Sequence, residues 1–446
     1  MRQHSRRLAW TSATIHGLVH ASVLMLPPLL GDLTRTYRVS LLEVLAAANA
    51  MYLVYGLAAI PAGYLADRFG SRRMLIASAG GCALALLLTA AAPNFAVLAT
   101  GLVCLGTFAG VYHPSGLSLL SRGIAPGEQG RAIGLHGAGG SLGEALAPAW
   151  AAFFATAFDW RVGFVAAAAL SFACALLAAS LPAEARGRAN DPHGQAGAGS
   201  GPDLRGSLRA LATTLVGFWN NRPLRWLLGS LLAAGFVYRG LLTFLALHIA
   251  GEGAGGAAAS YVMSAVLVVG IVAQRFGGEL TDRVSRAASP RAGRAREWLL
   301  LVEVALVAPL LFLLASTRGA AAIAAALVFG FVWAVAQPLA NALTAAYTRP
   351  SCHGLLYGIQ FAATFAVGSF ATTLGGFLFA RGGTRLVFLA LGGVGLLQLG
   401  AVATVLAAAA NRGRLPGGPP SRRDKGRDPR DDAAGPSAAS PVSEIG

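Results

Sequence analysis

The sequence predicts an all-α membrane protein in which twelve transmembrane helices form two pseudo-symmetric six-helix bundles. Three observations support this fold class. The 446 residues are 55% hydrophobic and only 12% charged, whereas soluble proteins carry about twice that charged fraction. Twelve apolar segments each reach the length of about 20 residues that crosses a bilayer. Short motifs around three helices of the first half also recur around three helices of the second half.

The twelve apolar segments are each predicted to be helical, because the bilayer core offers no water to backbone hydrogen-bonding groups. They divide the chain into an N-terminal bundle (1–182), a linker (183–222), a C-terminal bundle (223–410) and a tail (411–446). The segments cover residues 8–30, 42–66, 73–92, 95–121, 129–157, 160–181, 224–250, 258–280, 297–316, 319–347, 351–380 and 384–410.

The distribution of basic residues predicts the orientation of the chain. Of the 35 lysines and arginines, 27 fall on the side of the two termini and 6 on the opposite side, and Arg239 and Arg275 lie inside helices. Cytoplasmic loops are enriched in basic residues. We therefore expect a multi-pass inner-membrane protein with both termini in the cytoplasm. The net charge of +16 is spread over many short loops, which argues against a nucleic-acid partner.

The linker and the tail differ in composition from the bundles. The first half of the linker is rich in glycine, alanine and proline, and the tail is polar and proline-rich, so both are predicted to be disordered. The second half of the linker places five apolar side chains on one helical face, which predicts an amphipathic helix on the cytoplasmic surface. These residues are Leu208, Leu211, Leu215, Phe218 and Trp219.

Enzymatic chemistry and cofactor binding find no support in the sequence. The four cysteines, Cys82, Cys104, Cys174 and Cys352, are scattered through apolar segments without metal-ligand spacing. No nucleophile with an adjacent base and no phosphate-binding loop is apparent. We therefore expect neither an enzyme nor a bound cofactor.

Repeated motifs relate the two halves of the chain. Gly278–Arg283 repeats Gly63–Arg68 at an offset of 215 residues, and Ala336–Pro338 matches Tyr112–Pro114 at an offset of 224. The offset of 224 returns in the next helix, where Gly354, Gly358 and Gln360 match Gly130, Gly134 and His136. Duplicated halves of this kind place a transporter's substrate site between them.

The stretch Gly63-Tyr64-Leu65-Ala66-Asp67-Arg68-Phe69-Gly70-Ser71-Arg72-Arg73 resembles the loop signature between helices 2 and 3 of the major facilitator superfamily. This resemblance implies two six-helix bundles that rock about a central cavity lined mainly by helices 1, 4, 7 and 10. A looser likeness is to the fosmidomycin-resistance-like branch of drug exporters. It rests on His16, His20 and Pro27-Pro28 in helix 1, Gly110–Pro114 in helix 4 and the glycine-rich helix 5.

The loop signature is expected to act as a gate. Gly63 allows a neighbouring helix to approach closely, and Asp67 can face the positive N-terminal end of another helix. The resemblance implies that Asp67 and Arg68 latch the cytoplasmic side, with Asp282 and Arg283 as their counterparts. The alternative is a topological anchor that contributes positive charge alone.

Ionisable residues inside membrane spans are costly and usually mark function. Counted from the cytoplasmic helix ends at 1.5 Å per residue, two polar layers result, one rich in histidine at roughly 10–18 Å and one charged near roughly 22 Å. The first contains His16, His20, His113 and His136 with Gln337 and Gln360, and the second contains Glu144 and Arg239.

Arg239 follows Tyr238 and stays cationic at any accessible pH. Its charge requires compensation, for which three alternatives remain: a permanent ion pair with Glu144, an anionic substrate, or a side chain that reaches the membrane interface. Arg275, near a helix end, fits the last of these roles.

Histidine titrates near neutral pH, which suits a proton-coupled step. The alternative is that each histidine is a hydrogen-bonded core residue. A transition-metal site could be built from His20, His113 and His136, but the nearest soft ligands, Met25 and Cys104, are distant, and we expect no bound metal. The arginine of helix 4 that is typical of proton antiporters is replaced by Leu102, which weakens the antiport interpretation.

The sequence therefore predicts a monomeric secondary transporter that performs proton-coupled efflux of a small amphipathic or anionic compound by alternating access, with the lipid bilayer as its other partner. The alternatives are uptake or exchange of an organic anion such as a carboxylate or phosphonate, and a non-transporting membrane scaffold or receptor. The predicted substrate-binding or coupling residues are Arg239, Glu144, His20, His113, Gln337, Tyr238, His136 and His16.

Overall fold

The computed structural model describes residues 1–182, 216–251, 255–286, 294–348 and 360–412, and helices are the regular secondary structure throughout these ranges. Twelve helices, α1 to α12, cross the molecule. Their bounds are Gln3–Leu24 (α1), Leu41–Phe69 (α2), Ser71–Ala90 (α3), Phe95–Gly123 (α4), Pro126–Ala157 (α5), Trp160–Ala179 (α6), Arg222–Ile249 (α7), Gly255–Arg286 (α8), Ala295–Ala305 with Val307–Ser316 (α9), Gly319–Ala346 (α10), and the π-helical turn Ala363–Val367 with Gly368–Arg412 (α11 and α12).

Length and hydropathy mark ten stretches of the described chain as membrane spans. The last of them, Gln360–Ala409, is 50 residues long and contains both α11 and α12. The two helices meet at Gly382 and Gly383, and Gly383 adopts a φ of 61°, which only glycine reaches at no steric cost. Helix α5 is not among the ten, because glycines and polar residues such as Glu144 interrupt its apolar surface. With these two differences understood, the twelve-helix membrane fold is confirmed.

The first predicted span, residues 8–30, ends earlier than expected. Helix α1 stops at Leu24, a 3₁₀ turn spans Pro27–Leu29, and a short helix follows over Leu30–Tyr37. Two consecutive prolines remove two backbone donors, so the α-helix cannot continue through them. Helix α2 then begins at a capping box, in which Ser40 and Glu43 satisfy each other's free backbone N–H groups.

Most of the predicted linker lies outside the described residues, including Leu208, Leu211 and Leu215, and so does the tail beyond Arg412. Of the predicted amphipathic face, Phe218 is buried beside Leu224, whereas the Trp219 side chain is 67% exposed. The division of the chain into two bundles, linker and tail stays a prediction.

Helices α1 and α5 are in backbone contact where they cross. A Cβ atom at Gly17 of α1 would lie 2.7 Å from the carbonyl oxygen of Gly139, and a Cβ at Gly143 would overlap the backbone of Gly17. A Cβ at Gly140 would lie 2.5 Å from the imidazole of His16. Small residues permit such close crossings in membranes, and here they bring the polar side chains of both helices together.

We expect Gly143→Val to destabilise the protein, because the added side chain would push α1 and α5 apart. Overpacking of this kind typically costs about 1–3 kcal/mol. The matched control is Gly134→Val on the same helix, since a Cβ at Gly134 meets no atom within 4 Å. Thermal unfolding in detergent checks the prediction, and equal melting temperatures for the two variants would contradict it.

The two halves meet through α2 with α11 and through α5 with α8. On one side, Gly56 lies so close to α11 that a Cβ there would be 3.0 Å from the Ala366 side chain. On the other side, the backbone N–H of Ala149 donates to the Ser264 hydroxyl at 3.0 Å. The α2–α11 and α5–α8 contacts thus flank a buried polar cluster at the centre of the interface.

Candidate functional site

Four histidines from α1, α4 and α5 form one cluster. The ring centroids of His16 and His136 are 4.0 Å apart and stacked, and those of His16 and His113 are 5.0 Å apart. His20 lies 4.7 Å from His16 and 5.2 Å from His113. The structure therefore brings together all four histidines that the sequence analysis singled out.

A line of polar contacts connects these histidines to Glu144. The Nδ1 atom of His20 lies 2.9 Å from Oε1 of Glu144, a contact that has the distance but not the angle of a hydrogen bond. The Nε2 atoms of His20 and His16 are 3.0 Å apart, and Nδ1 of His16 lies 2.8 Å from the carbonyl oxygen of His136. One carboxylate and two imidazoles are thus linked in series.

The remaining two histidines have hydroxyl partners. Nδ1 of His136 lies 3.1 Å from the Ser12 hydroxyl and 3.2 Å from the Tyr112 hydroxyl, and Tyr112 also donates to the carbonyl oxygen of Ser12. Nε2 of His113 lies 2.6 Å from the hydroxyl of Tyr55 on α2. These hydroxyl groups pair with one ring nitrogen of each imidazole.

Helix α7 supplies the contact of this cluster with the second half of the molecule. The Tyr238 hydroxyl donates to Oε2 of Glu144 at 3.2 Å, and the Tyr238 ring stacks on Trp333 of α10. The two carboxylate oxygens of Glu144 therefore reach the two bundles separately, one to His20 and the other to Tyr238.

Arg239 is buried beside this contact, with 2% of its surface exposed. Its guanidinium carbon lies 3.8 Å above the centre of the Tyr52 ring and 5.4 Å from that of Phe365. Its Nε and Nη1 atoms have no hydrogen-bond partner among the described residues. This burial argues against a side chain that reaches the membrane interface. The carboxylate of Glu144, the candidate for a permanent ion pair with Arg239, contacts His20 and Tyr238 instead.

Sequence reasoning missed the aromatic groups that surround the site. Tyr52 and Tyr55 of α2 and Phe361 and Phe365 of α11 form a layer in which the rings of Tyr55 and Phe365 are 4.8 Å apart and those of His113 and Phe361 4.0 Å apart. The spacing of Tyr52 and Tyr55 on one helical face was the available signal. This layer joins the two halves directly against the histidine cluster.

Two predicted residues lie elsewhere. Gln337 lines a separate cavity of about 20 Å³ inside the C-terminal half, together with Ser230, Glu303 and Gln398. Gln360 donates to Asn341 at 3.0 Å. The offset of 224 residues therefore predicts the helix of each glutamine correctly, but it does not predict participation in the histidine cluster.

The candidate gating residues lie at the ends of α2 and α8. A Cβ at Gly63 would lie 3.8 Å from Pro114, so α2 and α4 pass close to each other there. Arg68 is exposed, and Arg283 is 4.0 Å from Glu279. Asp67 and Asp282 lie within α2 and α8, and their side chains are outside what the structure describes.

A metal ion could be accommodated only at the expense of these contacts. One nitrogen atom from each of His16, His20 and His113 lies within 4.8 Å of the others. In the structure, however, His16 and His20 face each other and His113 faces Tyr55. The expectation that no metal is bound stays a prediction.

A twelve-helix membrane protein with a buried polar cluster between two halves belongs to the class of secondary transporters. Comparison with known families agrees. The family model of the Major Facilitator Superfamily matches residues 13–373, and the chain belongs to this family. The predicted fold, the predicted family and the prediction that the protein is not an enzyme are thereby confirmed.

Curated relatives match over part of their length. The chain is 33% identical to the puromycin resistance protein pur8 of Streptomyces alboniger, over 25% of this chain and 23% of that protein. It is 32% identical to a multidrug resistance protein B homolog of Mycobacterium tuberculosis, over 26% and 22%. It is also 32% identical to a triacylglyceride transporter of Mycolicibacterium hassiacum, over 39% and 32%. The matches thus span at most about a third of these relatives.

Solved structures share the fold over nearly the whole chain. A bacterial homolog of the human lysosomal transporter Spinster, in an inward-facing and occupied conformation, superposes with a TM-score of 0.65 at 15% identity, covering 92% of this chain and 96% of that one. A D-xylose–proton symporter gives a TM-score of 0.66 at 12% identity, covering 89% and 97%. The more specific assignment to a fosmidomycin-resistance-like branch stays a prediction.

Proposed function

We propose that this transporter exports a small amphipathic or anionic compound by alternating access and that proton movement drives the export. The observation that carries the proposal is the contact of Glu144 with His20 on one side and Tyr238 on the other, at 2.9 and 3.2 Å. A titratable carboxylate that bridges two bundles can link its protonation to their separation. Export is supported by the names of two of the relatives, which are resistance proteins.

A second candidate is uptake or exchange of an organic anion such as a carboxylate or phosphonate. Arg239 favours it, because a guanidinium with two unpartnered nitrogen atoms can bind an oxyanion through paired hydrogen bonds. The cation–π contact with Tyr52 holds the guanidinium in place. An anion at this position would touch residues of both halves.

We further propose that the termini face the cytoplasm, that the protein acts as a monomer in the inner membrane, and that the loop signatures latch the cytoplasmic side. The distribution of basic residues supports the orientation. A membrane-impermeant maleimide that labels Arg2→Cys in intact spheroplasts would contradict it. Transport at the wild-type rate by both Asp67→Asn and Asp282→Asn would contradict the latch.

Proteoliposomes with an imposed pH gradient test the proposed function directly. We expect one or more amphipathic or anionic compounds of a panel to move against their concentration gradient only while the pH gradient persists. Collapse of the gradient with a protonophore is the control. Accumulation that changes neither with the imposed pH gradient nor with the protonophore would overturn proton coupling. Movement of cationic compounds alone would overturn the anionic substrate class.

A further inference from the structure

The cavity that Gln337 lines inside the C-terminal half is both small and polar. Its volume of about 20 Å³ gives room for roughly one water molecule. Four of the lining side chains carry oxygen atoms, and they come from four helices: Ser230 of α7, Glu303 of α9, Gln337 of α10 and Gln398 of α12. The rest of the lining is aliphatic apart from Trp333. A ligand of this cavity must therefore be as small as a water molecule and must interact with oxygen.

Two of these side chains keep a buried oxygen atom without a hydrogen-bond partner. The atoms are Oε2 of Glu303 and Oε1 of Gln398, and neither has a partner among the described residues. The two residues are only 8% and 5% exposed. A buried oxygen without a partner is rare in folded proteins and costly. A group that donates hydrogen bonds or carries a positive charge is therefore required beside them.

The charge of Glu303 narrows the choice to a cation. A carboxylate at membrane depth is costly unless a positive charge compensates it. No basic side chain lines the cavity, and no ion pair of Glu303 occurs among the described residues. Glu297 on the same helix instead accepts from the Tyr347 hydroxyl at 2.5 Å. A water molecule would fill the space, but it would leave the charge of Glu303 uncompensated.

The kind of cation follows from charge and size. Oxygen ligands select hard cations such as sodium, magnesium and calcium. Calcium takes about six to eight oxygen ligands and magnesium keeps several of its waters, and neither requirement fits the volume of one water molecule. A single carboxylate also balances a single positive charge. Sodium without its hydration shell meets both conditions.

We propose that this cavity binds one sodium ion through Glu303 and the neutral oxygen atoms of Gln398, Gln337 and Ser230. All of its lining belongs to α7, α9, α10 and α12, so rocking of the two halves leaves the set of ligands intact. The ion is then a permanent part of the C-terminal half and not a driving ion of transport. This inference goes beyond the proposed function, because neither proton coupling nor an anion at Arg239 depends on it.

The cavity adjoins the central site through a single side chain. Trp333 of α10 lines the cavity, and its ring stacks on that of Tyr238 with the ring centroids 5.4 Å apart. Tyr238 in turn donates to Glu144. The ion therefore stabilises the part of α10 on which the α7 contact of the central site rests.

Thermal unfolding of the full-length protein in detergent tests the site without any substrate. Sodium chloride replaces choline chloride at constant ionic strength and at about pH 8, where an ordinary glutamate is ionised. We expect the melting temperature to rise with sodium, since an ion that binds only the folded protein raises the folding equilibrium constant about tenfold for each tenfold increase above its Kd. Potassium should have a smaller effect, because the larger ion fits less well into the space of one water molecule.

Glu303→Gln is the decisive variant, because it removes the charge and keeps the shape of the side chain. We expect the sodium response to disappear and the melting temperature in choline chloride to equal or exceed that of the wild type. Gln398→Leu keeps the charge but removes one amide oxygen, so the sodium concentration of half-maximal effect should rise roughly tenfold. The matched control is Glu297→Gln, which neutralises the other buried glutamate of α9 and should keep the wild-type response.

A melting temperature that does not change when sodium replaces choline, or that responds equally to potassium, would overturn the proposal. So would a sodium response that survives Glu303→Gln or is lost in Glu297→Gln alone. If Glu303→Gln fails to fold, Gln398→Leu decides, and an unchanged half-maximal concentration would contradict the site. Magnesium or calcium acting at lower concentrations than sodium would refute the monovalent assignment.

Proteoliposomes separate this site from the proposed function. Accumulation of substrate driven by a sodium gradient at equal pH would refute the permanent role of the ion. The imposed pH gradient tests proton coupling independently, so that coupling can fail while the sodium response of the melting temperature supports the site.

Discussion

Arg239→Gln is expected to reduce transport of anionic compounds roughly 100-fold in proteoliposomes. A charge-assisted hydrogen bond contributes about 1.5–3 kcal/mol, and two of them to an oxyanion would amount to at least about 3 kcal/mol, or two factors of ten. Arg239→Lys should show a smaller loss, because an ammonium keeps the charge without the bidentate geometry. Initial uptake rates measured over a range of substrate concentrations check both values.

The stability of Arg239→Gln separates a binding role from a structural one. A cation buried at membrane depth costs several kcal/mol, and Arg239 has ring contacts but no hydrogen bond at Nε and Nη1, so its removal should leave the melting temperature unchanged or raise it. Arg275→Gln is the matched control, since that side chain is 87% exposed and pairs weakly with Glu279 at 3.6 Å. Unchanged transport of every anionic compound would sink the anion site. A lowered melting temperature with normal transport would assign Arg239 to structure.

Glu144→Gln is expected to abolish gradient-driven accumulation while exchange across the membrane continues. The Gln side chain can satisfy His20 and Tyr238 but cannot release a proton, so the bundles would move without a link to the pH gradient. Counterflow of labelled compound, measured with equal pH on both sides, should stay within about threefold of the wild type, whereas uphill transport should fall to the background of empty liposomes.

Glu303→Gln provides the comparison for this second prediction. Glu303 is one of two buried glutamates of α9, with Glu297, and it lies in the cavity of α7, α9, α10 and α12. We expect Glu303→Gln to keep its dependence on the pH gradient. If Glu303→Gln lost that dependence and Glu144→Gln kept it, the coupling group would have to be reassigned to the C-terminal bundle.

Much of the fold and part of the site follow from the sequence for physical reasons. Ionisable side chains are rare in apolar helices because they are costly there, so His16, His20, Glu144 and Arg239 stand out without a structure. Their gathering in one cluster follows from depth along each helix, which the constant rise per residue makes predictable.

Rotation about each helix axis is less predictable, because it depends on packing between helices. Gln337 occupies the expected depth and helix, yet it faces Ser230 and Gln398 across another cavity. Tyr52 and Phe365 hold Arg239 in place, and the sequence signals this role only through the spacing of Tyr52 and Tyr55 on one face of α2. The break after Leu24 could have been predicted from Pro27 and Pro28.

The close crossing of α1 and α5 at their glycines limits which residues can couple proton binding to the movement of the bundles. Because the backbones touch at Gly17 and Gly143, the two helices must move as one rigid body, and they carry His16, His20 and Glu144 with them. Rocking of the bundles then leaves the distances among these three residues unchanged and alters what α7 and the aromatic rings of α11 present to them. Tyr238 and Arg239 are the polar α7 groups placed to change the proton affinity of Glu144 between the two end states.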